Sequence, residues 1–209
     1  MRGELIGTYD LFDRRVNDYV PAELRQPISE AHISDFDGLW RPLFDERINM
    51  LKQRGENTSQ AFGDNEIQDA HWQWASKAAQ REEKLGWSSF AVEADGQTQG
   101  LMFATTVGFA REKSQLGKPL VQIDLIATAP WNRLKLTSEP RFKGVGRLLL
   151  ATAISLSFSE EFEGRIGLHS LPQSESWYRD VCGMTPLEID ATKMRYFEMT
   201  EQQAAEFIK

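Results

Sequence analysis

Leu120-Val-Gln-Ile-Asp-Leu-Ile-Ala-Thr-Ala-Pro130, then Arg141-Phe142-Lys143-Gly144-Val145-Gly146-Arg147, then Leu148-Leu-Leu-Ala-Thr-Ala-Ile-Ser-Leu-Ser-Phe158 is the stretch that decides the fold. The first run is β-branched and apolar, as a strand requires, and Pro130 stops it. The last combines leucine and alanine with an apolar stripe suited to a helix. Between them lies a glycine turn. Without Cβ atoms at Gly144 and Gly146 the backbone can take φ > 0 and approach a ligand closely. The first amides of the helix point outward, with the positive end of the macrodipole behind them. Such a turn suits a phosphate or pyrophosphate, and Arg141, Lys143 and Arg147 add positive charge around it. The plain alternative is a glycine turn in an ordinary strand-to-helix connection. A P-loop is excluded because Arg147 and Leu148 stand where Lys and then Ser or Thr belong. A dinucleotide fingerprint is excluded because Leu149 takes the place of its third small residue and the glycines do not directly follow the strand.

Upstream, Ser88 to Glu93 and Thr98 to Val107 flank Asp95-Gly96 and predict a hairpin, with a polar loop from Gly108 to Pro119 behind it. Ser34 or Asp35 is the expected cap of a helix running to Arg54. In it Phe36, Leu39, Trp40, Leu43, Phe44, Arg47, Ile48 and Leu51 keep helical spacing, Pro42 demands a kink or a place near a late start, and Gly55 is the stop. Residues 55–63 read as a loop. A second helix from Asp64 to Lys84 puts Ile67, His71 and Trp74 on one face. Taken from the residues alone, His71, Trp72 and Trp74 are an aromatic helix face packed on a sheet, with His71 satisfied locally. At the amino terminus Leu5, Ile6, Tyr9, Leu11 and Phe12 suggest edge strands, interrupted by Pro21 and Pro27.

Downstream, Arg165 to Leu171 is a strand closed by Pro172. Ser174 to Cys182 is a short helix ending at Gly183. Leu187 to Met199 holds strand material around a turn near Asp190, and Thr200-x-x-Gln203 is a capping box that opens a last helix. An antiparallel meander feeding a βαβ unit gives an α/β (α+β) fold, a mixed central sheet with helices on both faces. The expected organisation is one domain over residues 1–209: an N-terminal strand and helix region (1–63), a core (64–199) and a C-terminal helix (200–209).

Lys and Arg total 24 against 31 Asp and Glu, a formal net charge of −7. That balance argues against nucleic acid as a partner, because backbone binding needs clustered cations; it fits a cationic or neutral acceptor. Cys182 is the single cysteine, so neither an internal disulfide nor a cysteine-based metal cluster is expected, and no metal site is read. The first residues lack the apolar core of a signal peptide, and no run approaches the roughly 20 apolar residues that span a bilayer. The expectation is a cytoplasmic protein without a membrane partner.

With these elements in order, residues 64–199 resemble the GCN5-related N-acetyltransferase (GNAT) superfamily. Arg141-x-x-Gly144-x-Gly146, after a strand and before a helix, resembles that family's acetyl-coenzyme A loop. The strand ending Asp124-Leu125-Ile126-Ala127-Thr128-Ala129-Pro130 looks like its fourth strand, which carries an acidic residue six positions before a proline. Ile166-Gly167-Leu168-His169-Ser170 looks like its fifth, and Ser176-Trp177-Tyr178 to Gly183-Met184 like its short helix. Two departures stand out. Trp131 to Pro140 make a longer arm before the loop than the family has, and Tyr178 lies five residues before Gly183 rather than four. One helical residue turns a side chain by about 100°, so Tyr178 keeps its direction only if Cys182 is absorbed as an extra turn residue.

The resemblance implies acetyl-coenzyme A as co-substrate. The amides of Phe142, Lys143, Gly144, Val145, Gly146 and Arg147, with Arg141 beside them, would hold the pyrophosphate; Ile126 and Thr128 would pair with pantetheine. Acetyl transfer to an amine needs a neutral amine, a stabilised oxyanion and a proton for the thiolate. Asp124 is the implied base, acting through a water, or else a carboxylate bonded at the sheet edge; alternation sets it on the face opposite Ile123 and Leu125. Tyr178 is the implied acid, or else an aromatic packed beside Trp177. His169 is a second base, or else a structural histidine, and Cys182 reads as a small core residue. Trp72 and Trp131, with Trp40 and Trp74, would line an acceptor site and offer cation–π contact to an ammonium group. The implied activity is N-acetylation of a primary amine on a small molecule, or on a peptide or protein. A non-catalytic sensor of acyl-coenzyme A is the alternative, and a toxin acting on aminoacyl-tRNA would want a basic surface. Many relatives pair, so a homodimer is open.

Overall fold

In the computed structural model, which describes residues 2–56, 58–81, 84–191 and 193–209, the chain order is β1 (Glu4–Asp13), β2 (Asp18–Gln26), α1 (Glu30–Asp35), α2 (Arg41–Gln53), α3 (Ser59–Asp64), α4 (Trp74–Arg81), β3 (Trp87–Ala94), β4 (Gln97–Phe109), β5 (Pro119–Thr128), β6 (Phe142–Lys143), α5 (Val145–Ser159), β7 (Ile166–Ser170), β8 (Thr185–Ile189), β9 (Arg195–Met199) and α6 (Glu201–Phe207). The strands follow the order β6-β1-β2-β3-β4-β5-β7-β9-β8. Two compact units divide the chain. The first is Met1–Lys84, Ser89–Leu101 and Ala127–Gly146; the second is Leu85–Ser88, Met102–Ile126 and Arg147–Lys209. No helix among the described residues is long and apolar enough to cross a membrane.

In the first unit β1 and β2 form an antiparallel hairpin from Glu4↔Gln26 to Asp13↔Asp18, with Pro21 in β2 opposite Asp10. These are not edge strands: β1 has β6 on its other side and β2 has β3. The following helix starts five residues earlier than expected, with Ser29 rather than Ser34 or Asp35 at its cap. The Ser29 amide donates to Nδ1 of His32 (2.9 Å), three residues on. Asp35 is recruited across the chain instead: its carboxylate accepts from the amide and hydroxyl of Thr98 (3.0 and 2.7 Å) and from Arg2. His32 is fully buried, with Nε2 2.7 Å from Glu93. Burial by itself would raise the Glu93 carboxyl, but His32 and Arg2 hold it at about 2.

Both expectations for Pro42 are met: it stands in the first turn of α2, and before it comes a π turn at Phe36–Trp40, in which the Arg41 amide reaches back to the Phe36 carbonyl. The extra residue gives room to a proline ring that would otherwise meet the carbonyl four residues back. Phe36, Trp40, Phe44 and Leu51 are buried as their spacing predicts, whereas Leu39 and Leu43, expected with them, are exposed. Gly55 (φ +73°) stops the helix, with the Glu56 amide bonded to the Leu51 carbonyl at 2.9 Å.

The next two segments depart from expectation. Residues 55–63 are not all loop, since Thr58 accepts from the Ala61 amide (3.1 Å) and caps α3. No helix runs from Asp64 to Lys84. Its helical part among the described residues is α4, which begins at Trp74; positions 82–83 lie outside them. Glu66 has φ +55°, and Arg133 takes both the Glu66 carbonyl (2.8 Å) and the Asp69 carboxylate (2.7 and 2.6 Å). A buried guanidinium must have such partners, and satisfying it holds 65–73 out of helical geometry. His71, expected on a packed face, is exposed.

In the second unit β5 and β7 run parallel, β7 and β9 antiparallel, and β8 pairs with β9 around a bulge. Gly167 is required where it stands: a Cβ there would lie 2.2 Å from the Tyr196 hydroxyl, which donates to Gln122 (2.8 Å). Buried Glu198 accepts from the Arg111 and Glu112 amides and from Gln115 Nε2, fastening the turn that joins β4 to β5. Thr200 caps α6 by the expected box.

Candidate functional site

Strand β5 alternates as its sequence predicts. Ile123, Leu125 and Ala127 are buried, Asp124 is exposed, and Ile126 and Thr128 are half-buried. Its parallel register with β7 pairs Val121, Gln122 and Ile123 with Ile166, Gly167 and Leu168 and goes no further. Leu125 and Ile126 therefore lie past the last of these pairs, and both strands extend beyond it.

His169 follows Gly167 by two residues, so it shares a face with Gln122 and Asp124. Its Nε2 lies 3.4 Å from Asp190, and its ring packs on Tyr196 at 4.8 Å. Burial lowers its pKa, Asp190 partly opposes this, and Arg111 adds to it. The imidazole is therefore neutral at neutral pH, the form that accepts a proton.

Tyr178 lies on the other face. Its ring packs on Phe197 (5.8 Å) and Trp177 (5.0 Å), and Phe197 pairs with Leu168, whereas His169 pairs with Tyr196. The short helix expected at Ser174 to Cys182 is a π turn at Trp177–Val181, in which the Cys182 amide reaches the Trp177 carbonyl (3.0 Å). One residue is thus absorbed before Gly183, which has φ +68°. The sixth residue back meets it too: the Met184 amide donates to the Tyr178 carbonyl at 3.0 Å. Cys182 is buried and its thiol is pushed up to about 12 by burial, which suits a core residue rather than a nucleophile.

The glycine turn belongs to the first unit as far as Gly146, with Thr128, Trp72 and Trp131; Asp124, Ile126, Arg147, His169 and Tyr178 belong to the second. Only Gly144 of the glycine pair is left-handed (φ +107°), and Gly146 lies inside the first turn of α5. Val145 opens that helix, so its amide and those that follow lack the carbonyls an interior turn would supply.

Several groups expected around the turn are already engaged. The Phe142 amide donates to Asn132 Oδ1 (2.9 Å). Arg141 bonds Asp13 (3.1 Å) and Asp95 (2.7 Å), lies over the Phe142 ring and is only 13 % exposed. Arg147 donates to the Phe207 carbonyl, with its guanidinium 4.3 Å from that ring. Lys143 is exposed. Farther back the Thr128 carbonyl accepts from Arg133 Nε (3.0 Å) and Nη2 (2.6 Å).

The arm from Trp131 to Pro140 is closed at its base. The Arg141 amide bonds the Trp131 carbonyl (3.0 Å), while Gln99 Oε1 holds both Trp131 Nε1 (2.8 Å) and Asn132 Nδ2 (3.0 Å). A loop whose ends are pinned together lengthens the chain without displacing the glycine turn beyond it. Trp131 stacks edge-on against Trp40 and Trp72 against Trp74, all within the first unit, and both Trp131 and Trp72 are half-buried. Arg133, Asp69, Gln99 and Asn132 were not singled out from sequence. Nothing in local spacing marks an arginine and an aspartate 64 positions apart as partners.

No protein-family model matches the sequence, and no curated protein matches it. Solved structures do match the fold. A protein of Bacillus halodurans (bh2621) superposes over 98 % of this chain and 95 % of its own, with a TM-score of 0.53 at 10 % identity. The GNAT domain of S. lividans PAT does so over 92 % and 96 %, with a TM-score of 0.52 at 12 % identity. PaiA N-acetyltransferase of Thermoplasma acidophilum, in complex with coenzyme A, covers 86 % and 98 %, with a TM-score of 0.51 at 11 % identity. The chain has the fold of the GCN5-related N-acetyltransferase superfamily.

Proposed function

We propose that the chain transfers an acetyl group from acetyl-coenzyme A to a primary amine, carried by a small molecule or by a peptide or protein. The observation that carries this reading is the end of the β5–β7 register at Ile123↔Leu168. Beyond it, strand backbone is left for the amides of pantetheine, and the same strand leads through the arm to a left-handed Gly144 and the amides of α5. Those groups fit a pantetheine diphosphate in kind: strand amides and carbonyls for the arm, helix-start amides for the charge.

The engaged groups narrow the assignment. With the Phe142 amide given to Asn132, the diphosphate falls to Gly144, Val145, Gly146 and Arg147 amides and to the side chain of Lys143. Arg141 acts by fastening the loop rather than by meeting the anion. With the Thr128 carbonyl given to Arg133, Ile126 is the main pantetheine contact on β5.

Asp124 takes a proton from the acceptor's ammonium through a water and leaves a neutral amine to attack, and neutral His169 on the same face is the second base, for the proton the nitrogen sheds after attack. Amine nitrogen attacks the acetyl carbonyl, an oxyanion forms opposite a strand amide near Ile126, and its collapse releases the thiolate. Tyr178 supplies the thiolate's proton from the opposite face, beyond the last pair of the β5–β7 register. In the first unit, Trp72 and Trp131 offer aromatic surface suited to an ammonium group.

Calorimetric titration with acetyl-coenzyme A, followed by a free-thiol assay against a panel of amines, tests this reading. Binding with acceptor-dependent thiol release is expected. Gly146→Trp, which fills the first turn of α5, should abolish binding; unchanged affinity in that variant would remove the loop assignment. A sensing module that binds acyl-coenzyme A without transferring it is the second reading, favoured by the burial of Tyr178 at 6 % exposure. Binding without thiol release on the whole panel would select it.

A further inference from the structure

The tip of the β1–β2 hairpin is tied to the glycine turn, and it carries two exposed arginines. Phe12 pairs with Lys143 and Asp13 with Phe142, and one step on the Arg14 amide donates to the Arg141 carbonyl (2.9 Å). On the other side of the pairing, a Cβ on Gly144 would touch Leu11 (3.3 Å). The tip thus begins about 10 Å along β1 from the left-handed glycine, at about 3.3 Å per residue.

Its anchor is rigid. The buried Asp13 carboxylate accepts from the Arg15 amide (2.9 Å) with one oxygen and from Arg141 Nε (3.1 Å) with the other. Asp13 and Asp95 are thereby spent on Arg141, and Asp18 accepts from the Tyr19 amide (2.8 Å). Arg14, Arg15 and Lys143 are all exposed and make no ion pair among the described residues. In a chain of net charge −7, three cations that outnumber the Asp18 carboxylate at the same tip form an anion-attracting patch beside the turn.

We infer that Arg14 and Arg15 bind the 3′-phosphate of the coenzyme's ribose and so select coenzyme A over its 3′-dephosphorylated form. This rests on the coenzyme reading above. The ribose carries the diphosphate on its 5′ carbon and the monoester on its 3′ carbon. A diphosphate at Gly144 to Arg147 therefore puts the monoester one sugar ring away. A doubly charged monoester is the species for which guanidinium groups are suited, through paired, charge-assisted hydrogen bonds. Arg141, committed to two carboxylates, cannot serve it.

The test is calorimetric titration of the full chain with coenzyme A and with 3′-dephospho-coenzyme A. For the unaltered protein, coenzyme A should bind about tenfold more tightly or better. Arg14→Ala/Arg15→Ala should bind both at the affinity the unaltered protein shows for the dephosphorylated form. Arg14→Glu/Arg15→Glu should reverse the preference, and Lys52→Ala, an exposed cation at the end of α2, should keep it. Both arginines are exposed on a turn, and a thermal melt confirms that each variant folds. Equal affinity for the two molecules in the unaltered protein, or a preference that survives Arg14→Ala/Arg15→Ala, would overturn this inference and leave the coenzyme reading standing. Binding of neither molecule would overturn both.

Discussion

The first unit holds a π turn at Phe36–Trp40 and the second holds one at Trp177–Val181, each closed by an amide that reaches back five residues. The first has a local cause. Pro42 follows it, and widening the helix relieves a ring that would meet the carbonyl of Gly38. Around it everything is fastening: Phe36 and Trp40 are buried, and the helix beyond carries Phe44 beneath the Arg133 guanidinium at 5.1 Å. The second has no proline inside it or just after it. What it changes is the phase of Tyr178 against Gly183, by the one residue that separates this chain from the family's spacing. A π turn that serves backbone sterics and one that, in the function proposed above, serves the direction of Tyr178 share a hydrogen-bond pattern, and only their neighbours tell them apart. The first region should therefore fail in stability and the second in activity.

Arg133→Met should have the largest effect. It leaves the Asp69 carboxylate, 5 % exposed, without its bidentate partner, a loss of about 3–5 kcal/mol readable by denaturant unfolding. A loss under about 1 kcal/mol would mean that the first region is not held as described. Next, Tyr178→Phe should cut thiol release by about 100-fold or more, the scale of general acid catalysis, while shifting stability by about 1 kcal/mol. A full rate in that variant would make the second π turn as structural as the first.

Acid should separate the regions again. Glu93 is held at about 2, below its ordinary 4.5, so the stability it contributes is present above pH 4.5 and is lost as pH falls through 2. About 2–3 kcal/mol should disappear across that window, and Glu93→Gln should flatten the curve. The smallest effect should come from Pro42→Ala. Removing the cause of the first π turn lets the helix close to regular geometry, with a change within about 1 kcal/mol by urea melts and no change in thiol release. A larger fall in thiol release than in stability would show that the first π turn also serves the site.

The paired Asp95-Gly96, the stops at Gly55 and Gly183 and the cap at Thr200 were legible because each acts on backbone within a few residues of itself. So was the alternation that turns Asp124 away from Ile123 and Leu125. The failures share a cause of another kind. A helix from Asp64 to Lys84 satisfies local periodicity, yet Arg133 takes Glu66 and Asp69 out of it. Ser34 and Asp35 are acceptable caps locally, but Asp35 bonds Thr98, 63 positions away. Arg141 reads as an anion ligand beside a glycine turn, yet it is committed to Asp13 and Asp95, 128 and 46 positions away.

By itself the sequence determined the order of strands and helices around the glycine turn, the resemblance this order and its motifs carry, and the faces on which Asp124 and His169 stand. These follow from backbone preferences and side-chain periodicity, which need only near neighbours. The tertiary structure alone decided which charged groups remain available. Arg141, Arg147, the Phe142 amide and the Thr128 carbonyl are spent inside the fold, while Arg14, Arg15 and Lys143 are left exposed at the hairpin tip. A buried charge or backbone group must find a partner, and which partner it finds depends on segments that only folding brings together.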